Sequence, residues 1–274
     1  TTDKMFSILD AVSRNIDFNM QYKSIKKTKK NENVQQIETI KFSSMIFDYR
    51  PEFYAYSDLV CKPDAKDVLP GEFNMWCGMK AKTVEKVDEQ LIMPILNLIY
   101  EVWANKDQNI YFYLLKWFAY LVCNPSSPSE VALSVYGEQG TGKNTLIDFI
   151  SQFVLGDDLV MNSQGISSVT QKHNSTMRAK RLCVINEMAS TKDEFRSNWD
   201  KIKSFITDRK IRIEPKNIDS YEIDNISCWI MFSNHRDAIM VEASDRRYCC
   251  LQVSNCHKED HAYFKMIRDN CFNQ

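Results

Sequence analysis

Residues 137–145 have the residue types and the order of a phosphate-binding loop. They read Gly137-Glu-Gln-Gly-Thr-Gly-Lys-Asn-Thr145, between a short apolar run at residues 131–136 and a helical pattern over residues 143–154. Glycines allow backbone N–H groups to point at phosphate oxygens, and a helix N-terminus adds positive partial charge. Lys143 supplies a mobile ammonium for the β- and γ-phosphates. The predicted ATP-binding residues are Gly137, Gly140, Thr141, Gly142, Lys143, Asn144 and Thr145. A chance glycine-rich turn is the alternative, and the strand, loop and helix context disfavours it.

Oxygen-bearing side chains near this loop are candidate ligands for the Mg²⁺ that accompanies ATP. Asn144 stands where Ser or Thr usually contacts the metal, and an amide oxygen is a suitable ligand, with Thr145 as a substitute. Glu187 follows an apolar strand pattern at residues 182–185 and can hold Mg²⁺ through the nucleotide and polarise water. Asn186 occupies the place where many such ATPases have an Asp. Glu187 is therefore the predicted catalytic carboxylate, and an acid that begins a helix is the alternative.

Two further groups suit a nucleotide site. Asn234 follows the apolar pattern of residues 227–232 and can contact the γ-phosphate, although Ser-Asn after a strand is also ordinary turn chemistry. Arg246 and Arg247 precede another strand pattern. Phosphoryl transfer needs a cation for the charge that develops on the γ-phosphate, often from a neighbouring subunit, whereas a surface ion-pair cluster is the alternative. The predicted catalytic residues are Lys143, Glu187, Asn234, Arg246 and Arg247.

An alternating pattern downstream predicts an exposed β-hairpin. Residues 210–214 alternate with period two, residues 215–217 form a turn, and residues 220–223 return. Lys216 then lies at the tip, where a positive charge suits a phosphate backbone. The predicted DNA-binding residues are Lys210, Lys216 and Asn217. Without the ATPase motifs, a solvated turn lysine would be the simpler interpretation.

The N-terminal half of the chain predicts two segments. Residues 1–45 combine an amphipathic helical pattern with the basic run Lys23-Ser-Ile-Lys-Lys-Thr-Lys-Lys30, which predicts a helix followed by a flexible linker or, alternatively, a nucleic-acid arm. Residues 46–125 contain two helical patterns, at residues 89–103 and 110–122. The second is apolar nearly all round, which predicts burial. This segment is predicted to be a mainly helical collar or oligomerisation domain.

The C-terminal half predicts an α/β domain. A Pro- and Ser-rich stretch at residues 124–128 marks its start, so the P-loop ATPase domain is predicted over residues 126–274. Its strand patterns are continuous rather than alternating, as expected of parallel strands covered on both faces. The predicted fold is a parallel central sheet with helices, preceded by the smaller helical domain.

Composition restricts the partners and the compartment. With 274 residues and a net charge of −1, no overall basic field attracts nucleic acid, so DNA contact needs a local cluster. Nine cysteines without a C-x-x-C pair predict free thiols and a reducing, intracellular location. The zinc-capable set Cys250, Cys256, His257 and His261 lacks paired spacing, so a strand is favoured there. No apolar run approaches the roughly 20 residues of a membrane span. The opening Thr1-Thr2-Asp3-Lys4 predicts a piece of a longer polypeptide.

Taken together, these blocks resemble the superfamily 3 helicases, AAA+-like hexameric motors of DNA viruses, plasmids and phages. Residues 137–145, 182–187 and 229–234 are similar to motifs A, B and C of that superfamily. Residues 201–217 are similar to its B′ element, which carries a β-hairpin into the ring channel. The residues Phe73-Asn-Met-Trp-Cys-Gly78 and the helical pattern before Asn124 resemble the primase-helicase branch of poxvirus-type and phage replication proteins.

The resemblance implies an ATP- and Mg²⁺-dependent DNA helicase that translocates on single-stranded DNA as a homo-oligomer, normally a hexameric ring. It also implies a primase domain on the same full-length chain and a location in an infected cell. Asn144 and Asn186 depart from the usual metal-binding pattern. They suggest one alternative, a nucleotide-stabilised scaffold without turnover. A second alternative is a P-loop ATPase with a packaging or remodelling task, which would share motifs A and B but would not need the basic hairpin.

Overall fold

The computed structural model describes residues 58–187, 198–216, 219–234 and 244–272, and the backbone of residues 19–27, 33–41 and 192–197. Contacts divide the chain into two compact units. The first comprises Thr1–Val60 and Lys66–Asn74, and the second comprises Cys61–Ala65 and Met75–Gln274. Within the described ranges, no helix is long and apolar enough to cross a membrane.

The first unit contains short sheets. β1 (Asn19–Lys27) pairs antiparallel with β2 (Asn33–Lys41), and β3 (Asp58–Val60) pairs in parallel with β4 (Glu72–Asn74). The flexible linker predicted for the basic run is wrong where that run lies in β1. The reason is that β2 supplies hydrogen-bond partners for its backbone, which a charge pattern does not reveal. The predicted N-terminal helix lies outside the described residues.

The second unit is built from helices and strands in alternation. Its described strands are β5 (Ala132–Tyr136), β6 (Val160–Ser163), β7 (Leu182–Ile185), β8 (Lys210–Ile213), β9 (Tyr221–Asp224), β10 (Cys228–Ser233) and β11 (Tyr248–Gln252). Its described α-helices are α1 (Glu89–Leu98), α2 (Gln108–Cys123), α3 (Lys143–Phe149), α4 (Ile166–Thr170), α5 (Lys192–Thr207) and α6 (His261–Cys271). π-Helical turns extend α1 through Ile99–Trp103 and α3 through Ile150–Leu155, and short 3₁₀ turns lie at Asp157–Leu159 and Ser175–Met177.

Five of these strands form one parallel sheet in the order β11-β5-β10-β7-β6. The predicted parallel α/β sheet is therefore confirmed. The remaining pair, β8 and β9, forms the predicted antiparallel hairpin. In the chain, the hairpin lies between β7 and β10. It forms a separate two-stranded sheet and does not pair with the strands of the main sheet.

The sheet separates two apolar cores because successive side chains of a strand point to opposite faces. Val184 of β7 and Ile230 of β10 pack into one core with α1, α2 and α3. Ile185 and Trp229 pack into the other core with α4 and α5. Burial on both faces explains why the strands read as continuous apolar runs.

Helix α2 is less buried than its sequence predicts. Leu114, Trp117 and Leu121 are buried, whereas Phe112 is 50% exposed and Tyr113 39% exposed. The prediction of burial all round is wrong because only one face of α2 contacts the sheet core. Helices and sheet share that core, so the domain boundary predicted between residues 125 and 126 runs through a single compact unit.

Arg181 joins α2 to the sheet. Its guanidinium, 0% exposed, donates to five backbone carbonyl groups. Three of these belong to the C-terminal end of α2 and the residue after it. The acceptors are the carbonyl oxygens of Tyr120, Leu121, Asn124, Ser127 and Ile226. Burial lowers the pKa of Arg181, and the negative end of the helix dipole favours the cation.

Candidate functional site

The carboxyl ends of the parallel strands lie at one edge of the sheet, and the glycine loop begins there. The register places Tyr136 at the end of β5 beside Ser233 at the end of β10. From β5 the chain passes to β6 beyond β10 and β7, whereas from β10 it passes to β11 on the other side of β5. The connections from these two neighbouring strands thus run past each other in opposite directions, and the carboxyl edge of the strands is where α/β sheets bind ligands.

The loop after β5 is tied to β10 and closed on itself. The Gly137 N–H donates to the Ser233 carbonyl at 3.2 Å, and the buried Thr141 hydroxyl donates to the Glu138 carbonyl at 3.0 Å. Gly142 precedes α3 with φ of 85°, in the left-handed region that favours glycine. The predicted succession of strand, glycine loop and helix is confirmed by β5, this loop and α3.

The C-terminal part of the chain packs against the same loop. A Cβ atom at Gly137 would lie 2.3 Å from Val253 Cγ2, and one at Gly142 would lie 2.3 Å from Phe264 Cε1. Both distances are far below van der Waals contact. Val253 directly follows β11 and Phe264 belongs to α6, so these two elements form the outer wall of the loop.

Lys143 lies at the centre of the loop with its ammonium group turned back toward the strand ends. Lys143 Nζ donates to the carbonyl oxygens of Gly137, Glu138 (3.1 Å) and Ser233 (3.5 Å), and to Asn234 Oδ1 (3.1 Å). All four acceptors are uncharged oxygen atoms. Burial lowers the pKa of Lys143, because these dipoles replace its hydration shell without supplying a full negative charge. An anion at the loop would supply that charge.

The other predicted nucleotide contacts lie along the same edge. Asn234, exposed at the end of β10, is brought directly to Lys143. Asn144 is exposed and Thr145 half-buried in the first turn of α3. Glu187 is exposed just beyond β7, two strand spacings or about 10 Å from β5 along the sheet. Each of these side chains carries an oxygen atom of the type that Mg²⁺ prefers as a ligand.

The two arginines lie at the opposite edge. They precede β11, whose first residue, Tyr248, pairs with Ala132 at the beginning of β5. Arg246 is exposed, and Arg247 is bonded to Asp245 at 3.3 Å. Both line a cavity of about 490 Å³ that also includes Glu130 and Thr207. The structure therefore does not bring Arg246 or Arg247 to the Lys143 of the same chain.

The predicted DNA-binding residues do not lie together on the hairpin. Lys216 is exposed in the turn after β8, as predicted. Lys210 pairs with Asp224 at the base of the hairpin, away from Lys216. Asn217 lies outside the described residues. The hairpin is held by Asn174, whose side chain donates to the Arg212 carbonyl at 2.9 Å and accepts from the Glu214 N–H at 2.8 Å.

Sequence reasoning missed a segment beside the glycine loop, residues 254–260, here called the strap. Asn255 Nδ2 and Lys258 Nζ donate to the Glu138 carboxylate at 2.7 and 2.5 Å, and the Glu259 N–H donates to the Gly140 carbonyl at 3.1 Å. A cavity of about 580 Å³ opens between the loop, Asn234 and the strap. An acidic residue inside an anion-binding loop was the one available signal, since such a carboxylate needs a neutralising partner.

The histidine of the strap has a structural environment. His257 lies between Asp260 and Glu101, each 3.1 Å from one ring nitrogen, and stacks on Tyr263. Cys256 Sγ donates to the Glu101 carbonyl at 3.5 Å. These contacts attach the strap to the π-helical turn after α1, and the strand favoured for Cys250 over a zinc site is part of β11.

Comparison with known proteins shows similarity to phage proteins. A family described as a family of unknown function (DUF5906) matches residues 135–247, which include the loop, β7, the hairpin and β10. The chain is 26% identical over 182 residues to a DNA primase-polymerase of Nitratiruptor phage NrS-1, a match that covers 66% of this chain and 24% of the relative. The chain thus spans about a quarter of that relative's length.

Solved structures share the fold. The apo C-terminal region of NrS-1 superimposes with a TM-score of 0.65 at 20% identity, covering 99% of this chain and 68% of that one. A second apo form of the same region gives a TM-score of 0.63 at 19% identity, covering 98% and 67%. The α/β fold seen here is therefore the fold of that C-terminal region.

Proposed function

We propose that the chain is the ATP-hydrolysing motor segment of a viral or phage replication protein and that it moves along single-stranded DNA as a homo-oligomeric ring. The phage replication context rests on the sequence similarity to the NrS-1 DNA primase-polymerase. A primase domain elsewhere on the full-length protein belongs to the same proposal. Hydrolysis and movement rest on the site itself.

The observation that carries the proposal is the environment of Lys143. A lysine ammonium is buried in a glycine loop, at the carboxyl edge of a parallel sheet, with four uncharged oxygens around it. Burying a cation in this way costs free energy unless a ligand repays it. A triphosphate held by the loop N–H groups would supply the missing negative charge.

The chain's own residues then take distinct roles. Lys143 turns from its carbonyl partners to the β- and γ-phosphates, which releases Asn234 to bond the γ-phosphate or the attacking water. Glu187 orients that water and accepts its proton. Asn144, Thr145 and Glu187 would hold Mg²⁺ with the nucleotide, and the ion would neutralise charge on the phosphate oxygens.

The remaining predicted residues act between subunits or on DNA. Because Arg246 and Arg247 lie at the edge opposite the loop, they can complete the nucleotide site of a neighbouring subunit. Exposed apolar side chains on α1 and α2, including Leu91 and Phe112, give the helical segment a surface for such assembly. Lys216 at the hairpin tip supplies a positive charge that several subunits can align along one strand.

ATP hydrolysis with and without single-stranded DNA tests the proposal. Lys143→Ala is expected to lower turnover at least about a hundredfold, since it removes the cation from the loop. Lys106→Ala, in the exposed turn between α1 and α2, is the control for loss of one surface charge. Unchanged turnover in Lys143→Ala would reject the motor.

Glu187→Gln separates a motor from a scaffold. A motor variant binds ATP and loses hydrolysis. A scaffold binds ATP, shows no turnover even in the wild type, and is therefore unaffected by Glu187→Gln.

A further inference from the structure

The strap places a second cation at the mouth of the glycine loop. Its backbone is fixed at both ends: the Ser254 N–H donates to the Val102 carbonyl at 2.8 Å, and Asp260 caps the N-terminus of α6 by accepting from the Tyr263 N–H at 3.0 Å. Between these anchors His257 is bonded to Glu101. Lys258 therefore projects from a short segment whose position is determined on both sides.

The Glu138 carboxylate explains why the Lys258 ammonium lies beside the loop. It belongs to the loop that is proposed to bind a polyphosphate, and a free carboxylate at that position would repel the ligand. Hydrogen bonds from Lys258 and Asn255 lower the pKa of Glu138, which keeps the group ionised near neutral pH. The negative charge of the loop thus persists unless an adjacent cation balances it.

The geometry allows Lys258 to do more than balance charge. Lys258 and Glu138 line the same cavity as Gly140 of the loop and Asn234 of β10. Both partners of the ion pair are substantially exposed, with side-chain exposures of 37% for Lys258 and 56% for Glu138. Exposed ion pairs are weak, so Lys258 can exchange one oxygen partner for another at little cost.

We infer that Lys258 is a second phosphate-binding cation of the nucleotide site, supplied by the same chain. Lys258 pairs with Glu138 in the structure, and on nucleotide binding its ammonium moves to the terminal phosphate oxygens while Asn255 stays on Glu138. The inference rests on the proposed ATP site and adds a discrimination to it: the longer phosphate chain of ATP gains more from Lys258 than ADP does.

Equilibrium binding of a non-hydrolysable ATP analogue and of ADP, both with Mg²⁺, tests this role. Lys258→Ala is expected to weaken analogue binding at least about fivefold and ADP binding less, because a charge-assisted bond to the terminal phosphate is lost. Lys265→Ala, an exposed lysine on α6, is the matched control and should leave both affinities unchanged. Equal affinities for the wild type and Lys258→Ala would overturn the inference.

The double variant Glu138→Gln/Lys258→Ala decides between direct phosphate binding and charge balance alone. Direct binding predicts that the double variant stays weak for the analogue, since no cation replaces Lys258. Return to wild-type affinity would show that Lys258 acts only by neutralising Glu138, and would overturn the inference. Lys258→Gln, which keeps a polar and mostly aliphatic side chain without the charge, repeats the comparison if Lys258→Ala fails to fold.

The Lys143→Ala variant distinguishes failure of this inference from failure of the proposed function. If the wild type does not bind the analogue, or if Lys143→Ala binds it equally well, the ATP site and the role of Lys258 both fall. If Lys143→Ala loses binding while Lys258→Ala keeps it, the ATP site stands and only the role of Lys258 is rejected.

Discussion

At the residue scale, two charged side chains are held in opposite ways. Arg181 and Lys143 are both buried cations bonded to backbone carbonyls. Arg181 uses its five guanidinium N–H donors on backbone carbonyls, three of them at the C-terminal end of α2, so no donor is left for a ligand. Lys143 is a point charge on a flexible chain, and its partners can be exchanged. The first arrangement stabilises the fold, and the second suits binding.

We expect Arg181→Met to lower the free energy of unfolding by about 3–5 kcal/mol, because the buried carbonyl groups of Leu121 and Ile226 lose this donor and three part-buried carbonyl groups lose one of theirs. Denaturant unfolding monitored by tryptophan fluorescence measures the change. Arg178→Met is the control, since Arg178 is exposed and its guanidinium donates to the Tyr221 hydroxyl at 3.3 Å, and about 0.5 kcal/mol or less is expected there. A similar small loss for Arg181→Met would contradict its structural role.

Gly142 and Gly78 provide a matched pair of substitutions to alanine. Both have positive φ, 85° and 84°, but a Cβ atom at Gly142 meets Phe264 whereas one at Gly78 meets nothing within 4 Å. Gly78→Ala should lower the free energy of unfolding by about 1–2 kcal/mol, the cost of holding an alanine in the left-handed conformation. Gly142→Ala should cost about 1–3 kcal/mol more through overpacking. Equal losses in thermal unfolding would show that α6 does not fix the loop.

At the element scale, the β8–β9 hairpin packs one face on the second apolar core through Ile211, Ile213 and Ile223, and its turn carries the exposed Lys216. Asn174 is buried and bonds the backbone of Arg212 in β8 and of Glu214 just after it, so the direction of the hairpin is set by the α/β core. Arg212 reaches across to the Ser220 hydroxyl at 2.9 Å, which ties the two strands together near the turn.

We expect Lys216→Ala to weaken binding to single-stranded DNA and to reduce the slope of log affinity against log salt by about 0.7 for each subunit that contacts a phosphate. Fluorescence anisotropy over a salt series measures both. Lys106→Ala, outside the hairpin, controls for loss of surface charge, and Lys210→Ala shows whether the base of the hairpin contributes. An unchanged salt slope in Lys216→Ala would separate the hairpin from DNA.

At the scale of the whole molecule, the parallel sheet separates the two halves of the proposed catalytic site. The glycine loop follows the end of β5, whereas Arg246 and Arg247 precede the beginning of β11, the strand beside it. Strands that run in the same direction cannot bring these two positions together. A site that uses Arg246 or Arg247 must therefore combine two copies of the chain.

Mixing two inactive variants tests this division. Lys143→Ala lacks the ammonium group of the loop, and the double variant Arg246→Ala/Arg247→Ala lacks the guanidinium groups at the opposite edge of the sheet. Each variant alone should therefore be nearly inactive. In an equal mixture about a quarter of the interfaces combine an intact loop with an intact arginine edge, and ATPase activity should return to that extent. No recovery, with assembly shown by light scattering, would reject an arginine supplied by the neighbour.

The sequence was sufficient to predict the local parts of this protein. The order of strand, glycine loop and helix depends on neighbouring residues, and continuous apolar runs indicated parallel strands buried on both faces. The same reasoning placed Asn234 at the end of β10 and Lys216 in the hairpin turn. It failed for β1, because a charged strand depends on its partner for its hydrogen bonds.

Only the tertiary structure decided which distant residues meet. Lys258 bonds Glu138 across 120 positions of the chain, and Arg181 bonds the end of α2 across about 60. The opposite placement of Lys143 and Arg246 likewise follows from strand order and direction rather than from local pattern. Periodicity and turn chemistry act over a few residues, whereas these contacts depend on how separate elements pack around the shared cores.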